Sequence, residues 1–241
     1  MPTTLLYMWD TTTSFTGSKV LEKFSSEDSR TVLILDKTIF YPQGGGQQYD
    51  QGTIENQNGK FDVQEVRFVE GRVFHIGSFI NGNIDINEEV SLNVNPQRRE
   101  LNSKLQSAGH LIDMALRNIG KTDITPLKGY HFPDGPYVEY IGEISGDNLV
   151  TEVQKEIDRM TQTGYEVIVK ESNIEEAKQL CYFFPQHIPE GKPIRIVSVW
   201  DNQYIPCGGT HVKNVSDLKG LHIREIKSKK GNTRVSYKVG A

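Results

Sequence analysis

The stretch "NPQRRELNSKLQSAGHLIDMALRNIG", residues 95–120, divides the chain into two textures. Leu101, Leu105, Ala108, Ile112, Ala115 and Ile119 recur every three or four positions, the period of one helical face. Asn95 can cap the start, Pro96 suits the first helical position, and Gly120 supplies a stop. A long helix is therefore predicted, with a domain boundary just before it. The expected domains are residues 1–94 and 95–241.

Upstream of the helix the chain reads as β. "TVLILD" (31–36), "GTIEN" (52–56), "FDVQEVRFV" (61–69), "RVFHIG" (72–77) and "EVSLNV" (89–94) are short, rich in Val, Ile and Phe, and separated by Gly, Asn or Asp. That spacing predicts an antiparallel barrel or sandwich. Downstream, strands and helices interleave. A helix over 147–163 is expected to turn Val150, Val153, Ile157 and Met160 inward, and "NIEEAKQL" reads as a shorter one. The final strands "LHIREIKS" and "TRVSYKVG", joined by "KKGN", form a hairpin and must be antiparallel. The expected fold class is α+β: a β-barrel-like N-terminal domain, then an α+β domain with a long central helix.

Composition narrows the class further. Hydrophobic residues make up 36% of the 241 and charged residues 24%, the balance of a globular protein. No segment approaches the roughly 18 consecutive apolar residues of a membrane span, and the start lacks a basic-plus-apolar leader. Cys181 and Cys207 alone make a poor disulfide framework, which points to a reducing cytoplasm. Net charge is −4, but from Lys213 onward eight basic residues (Lys213, Lys219, Arg224, Lys227, Lys229, Lys230, Arg234, Lys238) face only Asp217 and Glu225. Such a basic face can bind phosphates on an acidic protein, because charges are screened beyond about 8 Å. A solvated hairpin would carry the same residues.

Three features can hold chemistry. On the long helix Arg99, Ser103, Gln106, His110, Asp113 and Arg117 form a second, polar stripe beside the apolar one, so His110 is expected to be half buried. Near the C-terminus "IPCGGTHV", residues 205–212, sets Cys207 and His211 around two glycines. Thiolate and imidazole are zinc ligands, and His110 joining this pair would give a His₂Cys set with one open position. A reactive thiolate beside His211 and a structural turn are the alternatives. Third, "FYPQGGGQQYDQG" (40–52) exposes backbone amides at Gly44, Gly45 and Gly46. It opens no helix and lacks the lysine of a nucleotide loop, so it is either a turn or a close approach to a phosphate or substrate terminus.

Together, "GGGQ", "SAGHLIDMAL", "KGYHF" and "CGGTH" followed by "GLHIREIKSKKGNTRVSY" resemble, in order and over essentially the whole chain, the editing domain of alanyl-tRNA synthetases. The closer likeness is to the freestanding AlaX editing proteins of the longer type. The resemblance implies hydrolysis, in trans, of serine or glycine from mischarged tRNA for alanine. It implies one zinc per chain on His110, Cys207 and His211. The family's first helix histidine falls on Gln106, which leaves the fourth position to water or to His131. On chemistry alone Gln106 is expected to position water, and Asp113, three residues beyond His110, either orients that ring or is a helix-surface carboxylate. Gly44 to Gln47 would border the amino-acid pocket, and Arg98, Arg99 and the basic tail would grip the acceptor end of the tRNA.

Overall fold

The computed structural model of the chain describes residues 1–185 and 192–240. These fall into two compact units: residues 1–44, 48–100 and 192, and residues 45–47, 101–185 and 193–240. The division lies at Glu100, inside the long helix rather than before it, and Gly45–Gln47 groups with the second unit.

In the first unit a two-stranded parallel pair, β1 (Thr4–Leu5) and β4 (Lys37–Thr38), lies beside a closed barrel. The barrel strands are β2 (Ser14–Ser25), β3 (Thr31–Leu35), β5 (Gly52–Glu55), β6 (Gly59–Val69), β7 (Arg72–Gly82) and β8 (Glu89–Val94). Their order is β2-β3-β7-β6-β5-β8, every pair is antiparallel, and β8 returns onto β2. Leu33, Leu35, Ile54, Phe61 and Leu92 fill the interior. The closing strand β2 is the one the hydrophobic pattern did not single out. Only Ser18 and Val20 of its residues are buried, and register shifts at Thr16/Ser18 and Val20/Glu22 break its alternation. Such bulges bend a strand, which barrel closure requires.

The second unit holds most of the α-helix α1 (Pro96–Asn118). An antiparallel sheet runs β14-β15-β10-β9, from β9 (Thr125–Tyr130), β10 (Tyr137–Ile141), β14 (His222–Lys229) and β15 (Asn232–Lys238). A smaller one joins β11 (Ile168–Ser172), β12 (Ile194–Ser198) and β13 (Ile205–Pro206). Helices α2 (Leu149–Gln162) and α3 (Ile174–Leu180) complete it. The class is α+β. Leu105, Ala108, Ile112 and Ala115 of α1 pack with Val153, Ile157, Met160, Val235 and Tyr237. One inward residue differs from expectation: Val150 is 37% exposed, and Leu149 is buried in its place. At 100° per residue Leu149 lies nearer the centre line of Val153, Ile157 and Met160 than Val150 does. Among the described residues no helix is long and apolar enough to cross a membrane.

A buried histidine marks the first unit. His75 is fully buried on β7, its Nδ1 3.0 Å from the Leu33 carbonyl and its Nε2 2.8 Å from the Thr38 hydroxyl. Burial pushes its pKa down to about 4, against the lesser pull of the Leu33 hydrogen bond. The unfolded chain, with an ordinary histidine pKa near 6.5, therefore binds a proton that the folded barrel refuses. Stability should fall as pH drops from about 6.5 to about 4, by on the order of 3 kcal/mol from this group. Urea unfolding at pH 7 and pH 4 tests this: His75→Gln should lose that share of the acid sensitivity, and an unchanged pH slope would refute it.

Candidate metal centre

Helix α1 is buried on more than its apolar face. Ser103, Gln106, Ser107, His110 and Asp113 are each less than a tenth exposed, so His110 sits deeper than its position beside the core stripe predicted. Each of these polar groups therefore needs a partner from elsewhere.

The Cys-Gly-Gly-Thr-His loop supplies several. It leaves β13 with the Cys207 N–H donating to the Arg195 carbonyl of β12 at 3.1 Å. Two contacts then press it against α1. The Ser103 hydroxyl donates to Thr210 Oγ1 at 2.8 Å, and Ser107 Oγ lies 3.0 Å from His211 Nδ1 while accepting the Val212 N–H at 3.1 Å. Gln47 fixes the loop from another side: its Nε2 donates to Thr210 Oγ1 and its Oε1 accepts the Thr210 N–H, both at 2.9 Å. Between these anchors sits Gly209, where a Cβ would stand 2.8 Å from Gln106 Cγ and 2.9 Å from Gln47 Oε1.

The result is convergence. Ligand atoms of His110, Cys207 and His211 all lie within 4.8 Å of one another. His211 Nε2 is 3.3 Å from Cys207 Sγ, which also accepts from the Gly209 N–H at 3.3 Å and from Gln106 Nε2 at 3.4 Å. Burial, the largest influence, resists ionisation of Cys207. The electrostatic pairing and hydrogen bond with His211, the Arg195 charge and the Gly209 N–H outweigh it and hold the thiol down at about 7. Burial pushes His110 and His211 down to about 4, so both rings are neutral at physiological pH. A thiolate and two neutral imidazoles are the donors that zinc prefers. With Nδ1–H of His211 donating to Ser107 Oγ, Nε2 is left for a metal, the usual device for fixing a ligand's tautomer. Beside them the Gln106 Oε1 is buried without a hydrogen-bond partner among the described residues. These donors fit a zinc ion, which His110, Cys207 and His211 would hold.

Other expected site residues have different partners. Asp113, whose carboxyl burial raises, accepts from the Tyr140 hydroxyl and from Tyr182 at 3.0 Å, so its two oxygens anchor tyrosines. Arg99 is not free to meet phosphate: it is 3% exposed, paired with Asp50 at 2.5 Å and donating to the Ile39 carbonyl at 2.6 Å. Arg98 donates to the Tyr49 carbonyl at 2.8 Å and lies over the Tyr49 ring. Gln47, expected at a pocket edge, is fully buried and engaged at both ends of its amide. Gly46 is needed for space, since a Cβ there would meet the Gly129 carbonyl at 2.3 Å. Gly44 accepts from the Tyr41 hydroxyl at 2.8 Å, and Gly45 is exposed. His131 Nδ1 is 2.6 Å from the Tyr237 hydroxyl, which donates to the Leu105 carbonyl, and His131 is outside the three-residue ligand group. Sequence reasoning missed Ser107, Thr210 and Arg195. Ser107 alone left a signal, three residues before His110 on the same helix.

Comparison with known proteins relates two segments of the chain to tRNA synthetase families. Residues 5–98 match the family of class II (A) tRNA synthetases, and residues 194–236 match the second additional domain of threonyl and alanyl tRNA synthetases. Both matched segments agree with the resemblance to the alanyl-tRNA synthetase editing domain read from the motifs. The alanyl-tRNA editing protein AlaX-L of Pyrococcus horikoshii is 28% identical over 217 residues, 89% of this chain and 52% of that protein. Alanine–tRNA ligases of Leptospira borgpetersenii (27% over 215 residues, 87% of this chain and 22% of the ligase) and Staphylococcus saprophyticus (29% over 227, 88% and 26%) are similar as well. The chain thus spans about half of the editing protein and about a quarter of the ligases.

The loop anchors make a direct prediction. Gln47→Leu leaves the buried Thr210 N–H without its acceptor, which should cost about 1–3 kcal/mol of stability. Denaturant unfolding of wild type and variant measures it, and a difference below about 0.5 kcal/mol would remove Gln47 as the anchor.

Proposed function

We propose that this chain is an aminoacyl-tRNA deacylase of the alanyl-tRNA editing type, which hydrolyses the ester of serine or glycine on mischarged tRNA for alanine. The observation that carries the reading is the convergence of His110, Cys207 and His211 within 4.8 Å. Those three residues would hold one zinc ion, which when bound supplies a Lewis acid for an ester carbonyl or for water.

The chain's own residues do the rest. Gln106 donates to the Cys207 sulfur through Nε2, and its unpartnered Oε1 accepts a hydrogen bond from the attacking water or from the substrate's α-ammonium. Ser107 keeps His211 in one tautomer. Thr210, held by Gln47 and Ser103, fixes the loop so that the ligands stay together before substrate arrives. Such preorganisation is what a hydrolase of an already reactive ester needs most. Asp113 acts at a distance, its charge facing His110 while the tyrosines hold it. The exposed glycine at Gly45 borders the amino-acid pocket. Arg98 and the basic C-terminal hairpin take the tRNA phosphates in contacts that are salt-sensitive and blind to sequence. A reducing cytoplasm suits the two unpaired cysteines. The glutamine at position 106 favours a second reading, a tRNA-binding module that keeps the zinc with little turnover.

Metal analysis by mass spectrometry, together with deacylation of serine-charged tRNA for alanine before and after chelation, decides between them. One zinc per chain and chelator-sensitive hydrolysis are expected. Cys207→Ala and His211→Ala should each lower both metal content and deacylation at least a hundredfold while the protein stays folded. Bound zinc without turnover would establish the binding module, and full activity in either variant would overturn the metal site.

A further inference from the structure

The outward face of the four-stranded sheet carries side chains that the metal centre does not use. Strand register sets them in rows. One row runs Lys128, Glu139, Arg234, Lys227 across β9, β10, β15 and β14, and its neighbour begins with the pair Tyr130 and Tyr137. Lys128, Arg234 and Lys227 are about half to three-quarters exposed at their side chains, whereas Glu139, which pairs with Lys128 at 3.2 Å and Arg234 at 3.7 Å, is mostly covered. Lys227 pairs with the half-exposed Glu225 at 2.6 Å, so three cations face two carboxylates and the row keeps a net positive charge toward solvent.

Beside it stands a column of parallel rings. Phe132 stacks on Tyr130 with centroids 4.5 Å apart and planes within 9°, and Tyr130 stacks on Tyr137 at 5.4 Å and 21°. The Arg234 guanidinium lies over the Tyr137 ring at 4.1 Å and closes that end of the column. The Tyr130 hydroxyl donates to Asp134 at 3.1 Å, which holds its ring upright. Packing does not account for the column, because none of the three rings belongs to the hydrophobic core or packs against it. All three are partly buried, each keeping some surface in solvent.

The column also leads toward the chemistry. His131, between Tyr130 and Phe132, turns the opposite way and is buried so close to Gly109 that a Cβ there would stand 2.4 Å from its ring. Gly109 is the neighbour of His110. The Phe132 end of the column thus lies on the same short segment that packs beside the metal ligands.

We propose that this column is the platform for the unpaired nucleotides at the aminoacylated end of the RNA. A base adds to the stack at Phe132, and the Lys128–Arg234–Lys227 row takes the following phosphates. Parallel rings accept any base through its π-face, and adjacent cations follow the backbone, the general pattern of single-strand recognition. A paired base cannot offer its face in this way, so the surface selects a single-stranded end over a helix. This inference rests on the deacylase reading for its substrate, but its test does not.

The test is fluorescence anisotropy of the full chain with a labelled RNA tetranucleotide ending in cytidine-cytidine-adenosine, and with a blunt RNA hairpin as comparison. Phe132→Ala and Tyr130→Ala should weaken tetranucleotide binding about tenfold, the loss of one stacked base, with hairpin binding little changed. Phe132→Leu, which keeps apolar bulk without a flat ring, should lose binding similarly while preserving the fold. Lys227→Ala should weaken both RNAs and reduce the salt dependence. On mischarged tRNA the Phe132 variants should raise KM about tenfold, with the change carried by KM rather than kcat. Tetranucleotide affinity within twofold of wild type in both Phe132 variants, or an equal loss for the hairpin, overturns the platform. Ring-dependent binding in a chain that deacylates nothing would leave the platform standing and overturn the deacylase.

Discussion

The second unit depends on one residue's hydrogen bonds. Thr210 receives Gln47 at both its backbone N–H and its hydroxyl, and Ser103 at the hydroxyl again, with all three residues buried. Buried polar groups left unmatched cost roughly 1–3 kcal/mol each, so these bonds reinforce one another. They bring together segments more than a hundred residues apart in sequence, and the loop has no freedom left once they form. Cys207 and His211 then meet Gln106 and His110 as a consequence. Gly209 is the steric condition for this closeness, because any side chain there would strike both glutamines.

Burial of the polar stripe on α1 gives the site its electrostatic character. Arg99 answers Asp50, Ser103 answers Thr210, Ser107 answers His211, and Asp113 answers two tyrosines. The Gln106 Oε1 breaks the series. A buried acceptor with no partner among the described residues, next to a depressed thiol and two neutral imidazoles, is the arrangement that a ligand site requires. The same burial that neutralises His110 and His211 keeps their lone pairs available for a metal.

The two faces of the four-stranded sheet divide the remaining work. Val138, Tyr140, Val235 and Tyr237 point inward to the core that supports α1. Strand alternation then places Tyr137, Glu139 and Arg234 outward with no choice in the matter. Packing on one side therefore positions charge and aromatic rings on the other, and His131 links the two by turning inward between outward neighbours.

Read alone, the sequence determined the local and periodic features. The helix from Pro96, the short β-rich strands before it, the terminal hairpin and the residue types of the His110, Cys207 and His211 group were all legible, because each rests on spacing within a few residues or on side-chain chemistry. What the sequence could not carry was everything that depends on which distant side chain fills a gap. Arg99 and His110 stand on the same stripe, yet one is consumed by Asp50 and the other faces the ligand group. Gln47 looked like part of an open glycine loop and is a buried clamp, since its partner lies 163 positions away. Strand β2 lost its signal to the bulges that close the barrel. The ring column of Phe132, Tyr130 and Tyr137 depends on strand register, which tertiary hydrogen bonding fixes and one-dimensional periodicity does not.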